Sequence, residues 1–145
     1  MTTLRLARKK CWPHEHTTRY PCIFWSLFAP EKLSRAAVRE IKSSNNDVAV
    51  SVVTFWEISL QYALGKLKLT GVKPEELPDF TGQMNIDILP ITAAEASSFH
   101  KLLRLSHKDP FDRIIIWQAI QRKMTLVSKD RDFKAYRKFG LRTFW

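Results

Sequence analysis

Three acidic residues of this chain stand at positions where a metal-dependent hydrolase would place its ligands. Glu57 follows a β-branched run, Asp112 stands at the start of a long apolar stretch, and Asp130 closely follows Val127. Carboxylate oxygens are hard ligands that suit Mg²⁺ or Mn²⁺. Such an ion polarises a phosphodiester and activates water. We therefore treat these three acids as the candidate catalytic and metal-binding residues.

Each acid also has a purely structural interpretation. Asp112 and Asp130 could be helix N-terminal charges that the helix dipole favours, and Glu57 could be an exposed helix residue. The sequence carries no Ser–His–Asp or Cys–His nucleophile signature and no glycine-rich phosphate loop that would indicate a different chemistry. Position alone therefore does not identify a nuclease.

The elements that must position these acids alternate between strand and helix patterns. Such alternation predicts an α/β fold with a parallel sheet covered on both faces, and ligands bind at the carboxyl ends of such strands. Thr92 and Glu95 form a predicted capping box. We predict strands at 47–54, 86–91, 124–128 and 140–145, and helices at 30–41, 55–64, from 74 onward, 92–105, 111–121 and 130–138.

Composition limits the class of protein. The chain has 145 residues, of which 45% are hydrophobic and 26% charged, as expected for one globular domain. No apolar run approaches the roughly 20 residues that span a bilayer, so we expect no membrane partner. The net charge of +10 favours an anionic partner such as nucleic acid. Only two cysteines are present, which leads us to expect a reducing, cytoplasmic location.

Three segments carry a family resemblance. Residues 51–60 with 64–69 resemble the second motif of VapC-type PIN domains, 107–119 the third, and 126–133 the fourth, with Ser128 where the family often has Thr. The third motif is the most specific. The ending 139–145 also fits, so the resemblance covers residues 24–145.

The resemblance implies a fold, an activity and partners. The fold is a three-layer α/β/α sandwich with a mainly parallel central sheet, and the activity is Mg²⁺- or Mn²⁺-dependent cleavage of RNA. A cognate antitoxin and a homodimer are the implied partners. By motif, Glu57, Asp112 and Asp130 are the metal-site acids. Asp109 is a candidate helper or the cap of the following helix. Arg113 is a candidate contact to RNA phosphate, or pairs with a neighbouring acid.

The chain departs from the family pattern at its start. The family opens with a strand that ends in Asp, but here Arg19 stands six residues before Trp25, where that acid belongs. Pro21 would interrupt a strand that is normally central, because proline removes a ladder donor. We expect a damaged first strand, a poorly ordered segment 1–22, a PIN domain over 23–145, and weakened activity.

A shift of reading frame would explain this departure. Residues 14–22 can be encoded so that reading one base later gives Met-Asn-Thr-Leu-Leu-Asp-Thr-His, the expected family start with its Asp. We therefore hypothesise that residues 1–22 are an out-of-frame product. Codons in the DNA that cannot yield this alternative would reject the hypothesis.

Other interpretations remain open. Four residues near the start could form a zinc site, although their spacing is irregular (Cys11, His14, His16 and Cys22). The main alternative to a nuclease is a catalytically inactive PIN-like domain that binds antitoxin or RNA without cleavage. A basic nucleic-acid-binding protein unrelated to nucleases would explain the charge but not the three acids.

Overall fold

The computed structural model describes residues 30–105 and 108–145. The expectations for segment 1–22 lie outside these residues: the damaged first strand, the poor order, the position of Arg19 and the zinc site.

Helices and strands alternate along the described chain. The α-helices and strands are α1 (Arg35–Lys42), β1 (Ala49–Ser51), α2 (Val52–Ala63), α3 (Leu77–Gln83), β2 (Asp87–Leu89), α4 (Ala93–Ser98), α5 (Pro110–Gln121), β3 (Thr125–Val127) and β4 (Arg142–Phe144). Short 3₁₀ segments lie at Pro30–Lys32, Pro74–Glu76, Phe99–Lys101 and Arg131–Phe139.

All four strands of the described residues pair in parallel. β1 pairs with β2, with Val50 opposite Ile88, and β3 pairs with β4, with Leu126 opposite Thr143. Each crossover contains helical structure, as parallel pairing requires. The predicted α/β class is confirmed. Within the described residues, however, the strands form two separate pairs and not one sheet.

The strand predicted over 47–54 is shorter in the structure. Residues 47–54 read as one β-branched run, but β1 ends at Ser51 and α2 begins at Val52. The Ser51 side chain accepts a hydrogen bond from the Val53 amide at 3.3 Å and caps the helix. The β-branched side chains of Val52 and Val53 therefore lie in a helix, because the cap and tertiary packing outweigh a weak intrinsic preference.

The helix predicted over 92–105 begins as expected but ends early. Thr92 and Glu95 form the predicted capping box, with Glu95 N donating to Thr92 Oγ1 at 3.1 Å. α4 stops at Ser98, whose hydroxyl donates to the Ala94 carbonyl at 2.6 Å and accepts from Trp117 Nε1 at 3.1 Å. A serine that bonds back to a carbonyl in this way competes with continued helix.

Two other predicted helices also differ in detail. The segment predicted as a helix over 30–41 breaks at Ser34, which caps α1 by accepting from the Ala37 amide at 2.9 Å. The segment predicted over 130–138 is a 3₁₀ stretch.

Two apolar clusters form the core of residues 30–105 and 108–145, and α2 contributes to both. Val53 belongs to the cluster around α5 and β3, whereas Ile58 belongs to the cluster around β1. Members of the first include Ile115, Ile116, Leu126, Phe133 and Tyr136, and members of the second include Val48, Val50, Leu67 and Leu77. Burial of apolar surface is the main favourable term in folding. Because α2 contributes to both clusters, it joins them.

Among the described residues, no helix combines the length and the apolar character needed to cross a lipid bilayer.

An ion pair joins the start of α4 to the end of α5. Arg122 Nη2 donates to Glu95 Oε2 at 2.9 Å and to the Pro90 carbonyl at 2.8 Å. Burial alone would raise the pKa of Glu95. The hydrogen bonds from Arg122 and the Thr92 backbone, with the attraction to Arg122, outweigh burial and leave that pKa below its ordinary value.

We expect Arg122→Ala to lower the free energy of unfolding by about 2 kcal/mol at neutral pH, because a largely buried carboxylate loses its charged partner. The folded pKa of Glu95 is lowered, so the pair stabilises the protein above the unfolded pKa and this contribution disappears as pH falls through the folded pKa. Urea denaturation at a series of pH values measures this. Arg39→Ala is the control. The Arg39 side chain is 77% exposed, and its Nε lies as far as 4.0 Å from Glu40 Oε1, so this ion pair should contribute little. An equal loss in both variants would contradict the expectation.

Candidate metal-binding site

Glu57 lies in the second turn of α2 and faces the interior. Its relative exposure is 3%, whereas the adjacent Trp56 is 64% exposed. The direct passage from β1 into the capped start of α2 sets this orientation, because it decides which helix positions turn inward. The exposed-helix interpretation of Glu57 is therefore wrong.

Asp112 lies in the first turn of α5 and is 2% exposed. Asp109 caps this helix: its Oδ1 accepts from the Phe111 amide at 2.8 Å and the Asp112 amide at 3.4 Å. Pro110 at the first helical position adds a favourable start. Of the two roles considered for Asp109, the structure therefore supports the cap directly.

Asp130 follows the carboxyl end of β3 and is 5% exposed. Its amide donates to the hydroxyl of Ser128 at 3.0 Å, and its own Oδ1 accepts from the Asp132 amide at 2.8 Å. The second bond caps the 3₁₀ segment 131–139. One oxygen of Asp130 thus serves the backbone, and the turn holds the carboxyl group close to the end of the strand.

Packing between α2 and α5 brings together the residues that precede Glu57 and Asp112. The rings of Trp56 and Phe111 meet edge to face with centroids 4.9 Å apart. These aromatic residues immediately precede Glu57 and Asp112 in the sequence. β3, which leads to Asp130, shares the core cluster of α5. All three acids therefore belong to elements packed around α5.

Residues 30–105 and 108–145 do not form a complete metal-binding site. In these ranges no three His, Cys, Asp or Glu side chains lie close enough together to hold a metal ion. The donor types fit a divalent cation, since the buried groups are carboxylates and hydroxyls. The described residues thus match such an ion in chemistry but do not complete its coordination sphere.

Arg113 is held by the protein itself. Its Nη2 donates to the Leu102 carbonyl at 2.9 Å, and its guanidinium lies over the Phe99 ring, 4.9 Å from the centroid. These contacts tie α5 to the 3₁₀ turn that follows α4. The predicted contact of Arg113 with RNA phosphate stays a prediction.

Exposed cations lie next to the buried acid Asp130 and next to the half-buried cap residue Asp109. Lys129 and Arg131 stand on either side of Asp130, and Lys108 precedes Asp109; all three cationic residues are exposed. Buried negative charge next to exposed positive charge suits a ligand that is itself anionic and reaches the acids through a cation.

Sequence reasoning did not single out Thr54. This residue is fully buried in the first turn of α2, three positions before Glu57. It stood at the end of the predicted strand 47–54, which also contains Asp47 and Ser51, so one more polar side chain did not stand out. One available signal was a hydroxyl within residues 52–56, which are otherwise apolar.

The comparisons with known proteins identify the family. A family model described as the PIN domain matches residues 22–139. This chain belongs to the PIN-domain family. The crystal structure of VapBC2 from Rickettsia felis, bound to a DNA fragment from its promoter, resembles this PIN domain with a TM-score of 0.57. The two are 22% identical, and the match covers 85% of this chain and 91% of that chain. No curated protein matches the chain.

These matches confirm the predicted PIN-domain fold. The resemblance to VapBC2 supports the fold at 22% identity. The family match begins at Cys22, the last residue of segment 1–22.

We expect Asp109→Ala to lower the free energy of unfolding by about 1 kcal/mol, because α5 loses its N-cap. Asp109→Ser, which keeps a capping oxygen but no carboxylate, should restore most of that stability. Thermal or urea denaturation of both variants measures the effect. If Asp109→Ser is as unstable as Asp109→Ala, the capping role assigned to this side chain is wrong.

Proposed function

We propose that this PIN domain is a metal-dependent endoribonuclease of the VapC toxin type. Glu57, Asp112 and Asp130 are the residues that would hold its Mg²⁺ or Mn²⁺ ion. The observation that carries the proposal is the burial of all three motif acids around α5. Burying a carboxylate costs free energy, and binding a cation is one function that offsets this cost.

The proposed roles follow from where each acid lies. A bound divalent ion would polarise the phosphodiester and supply an activated water. Glu57 would hold it from α2, Asp112 from the start of α5, and Asp130 from the turn after β3. Exposed cations at Lys108, Lys129 and Arg131 would bind flanking phosphates and orient the RNA strand.

Partners are part of the same proposal. The fold resembles one chain of the VapBC2 crystal structure. α2 and the residue that caps its end expose apolar side chains at successive turns, which protein interfaces commonly bury. These side chains are Val52, Trp56, Leu60 and Leu64. We propose that an antitoxin neutralises this protein. We also propose that this protein forms a homodimer and is located in the cytoplasm.

The segment before Ile23 decides how active the chain is. We propose that residues 1–22 lie outside the PIN domain and that the acid normally found near position 19 is missing because of a shifted reading frame. The family match beginning at Cys22 agrees with this division. With one carboxylate fewer, the site would bind its metal more weakly.

The test is RNA cleavage with Mg²⁺ or Mn²⁺ by two versions of the protein. One is the chain as it stands; the other replaces residues 1–22 with the start read in the alternative frame. We expect strong cleavage only from the restored protein, and complete loss with a chelator. Asp112→Asn in that protein should lower the rate roughly 100-fold or more, because charge stabilisation by a metal amounts to several kcal/mol.

Asp79→Asn is the matched control. Asp79 also lies in the first turn of a helix, α3, but is exposed, so we expect its substitution to leave cleavage unchanged. If neither version cuts RNA with either metal, the nuclease proposal fails, and binding of antitoxin or RNA without cleavage becomes the better account.

A further inference from the structure

Thr54 carries a buried hydroxyl for which the described part of the chain provides no partner. The residue is 0% exposed, and no hydrogen bond to its Oγ1 occurs within residues 30–105 and 108–145. Buried polar groups are normally hydrogen-bonded, because leaving one unsatisfied destabilises the fold. An exception of this kind calls for an explanation, and a functional role is one.

Thr81 shows what a helical threonine ordinarily does. It is equally buried, in α3, and its hydroxyl donates to the Leu77 carbonyl at 2.8 Å, one turn earlier. Thr54 is the third residue of α2, so the residue four positions before it lies in β1 and not in the helix. Ser51 already supplies the N-cap of this helix. The hydroxyl of Thr54 therefore serves neither of the usual local purposes.

The position of Thr54 associates it with the candidate site. Residues three apart are neighbours on one helix face, so Thr54 lies next to Glu57 on the inward side of α2. Valine has nearly the same shape as threonine and would fill the same space without an unsatisfied hydroxyl. A stability cost that a simple substitution could remove is typical of functional sites.

We propose that Thr54 is a positioning residue of the metal site. Its hydroxyl lies beside Glu57, where it would donate a hydrogen bond to a ligand of the ion that Glu57 would hold. This inference rests on the proposed metal-dependent function. Groups that orient ligands and waters around a metal typically change metal affinity 10- to 100-fold when removed.

The test measures Mn²⁺ binding and stability in the full-length protein. Titration followed by electron paramagnetic resonance gives the affinity for Mn²⁺, and urea denaturation gives stability without any need for cleavage. We expect Thr54→Val to raise the folding equilibrium constant about 10-fold, because the unsatisfied hydroxyl is gone. We expect the same variant to bind Mn²⁺ about 10-fold more weakly.

Two control variants separate this role from a structural one. Thr54→Ser keeps the hydroxyl and should keep the Mn²⁺ affinity of the parent protein. Thr81→Val removes a hydroxyl that has a partner, so it should not raise stability and should leave Mn²⁺ binding unchanged. If Thr54→Val binds Mn²⁺ as tightly as the parent, or is less stable than it, the inference is overturned.

The two proposals fail in different ways. If Glu57→Gln abolishes Mn²⁺ binding and Thr54→Val does not weaken it, the metal site stands and the role of Thr54 is rejected. If neither the parent chain nor the version with the restored start binds Mn²⁺, the proposed function is rejected together with this inference.

Discussion

Glu57, Asp112 and Asp130 keep at most 5% of their surface exposed, and this loss of hydration must be offset by the elements around them. Backbone groups do part of this work: the Asp132 amide donates to Asp130, and Asp112 lies in the first turn of α5, where the helix dipole favours negative charge. Much of the described architecture can be understood as the means of holding these carboxylates away from water.

Side-chain caps decide which residues face inward. Ser51 and Asp109 each accept amide hydrogen bonds at the start of a helix, and each thereby sets the rotation of that helix relative to the core. Moving the start of α2 by one residue would turn Glu57 about 100° around the helix axis. A short polar side chain at a strand–helix junction thus sets the direction in which a buried acid further along the chain faces.

Local signals in the sequence predicted α5 closely. The apolar run from Phe111 predicted its start within one residue of the observed Pro110, and Asp109 was one candidate for its cap. The boundary between β1 and α2 was missed because β-branched residues favour a strand locally, while the cap and packing decide otherwise. The pairing of Glu95 with Arg122 joins distant parts of the chain, and no local pattern announces it. The exposure of Trp56 was equally hidden, since hydrophobicity alone predicts burial.

The chain segments that connect the paired strands differ in length between β1–β2 and β3–β4. The crossover from Ala49 to Asp87 is roughly twice as long as that from Thr125 to Arg142, and a doubling costs about 0.6 kcal/mol of closure entropy. Shorter-range contacts also form faster during folding. We therefore expect a refolding chain to assemble the β3–β4 unit, packed on α5, before the β1–β2 unit. In that order of events, Asp112 and Asp130 would reach their places before Glu57.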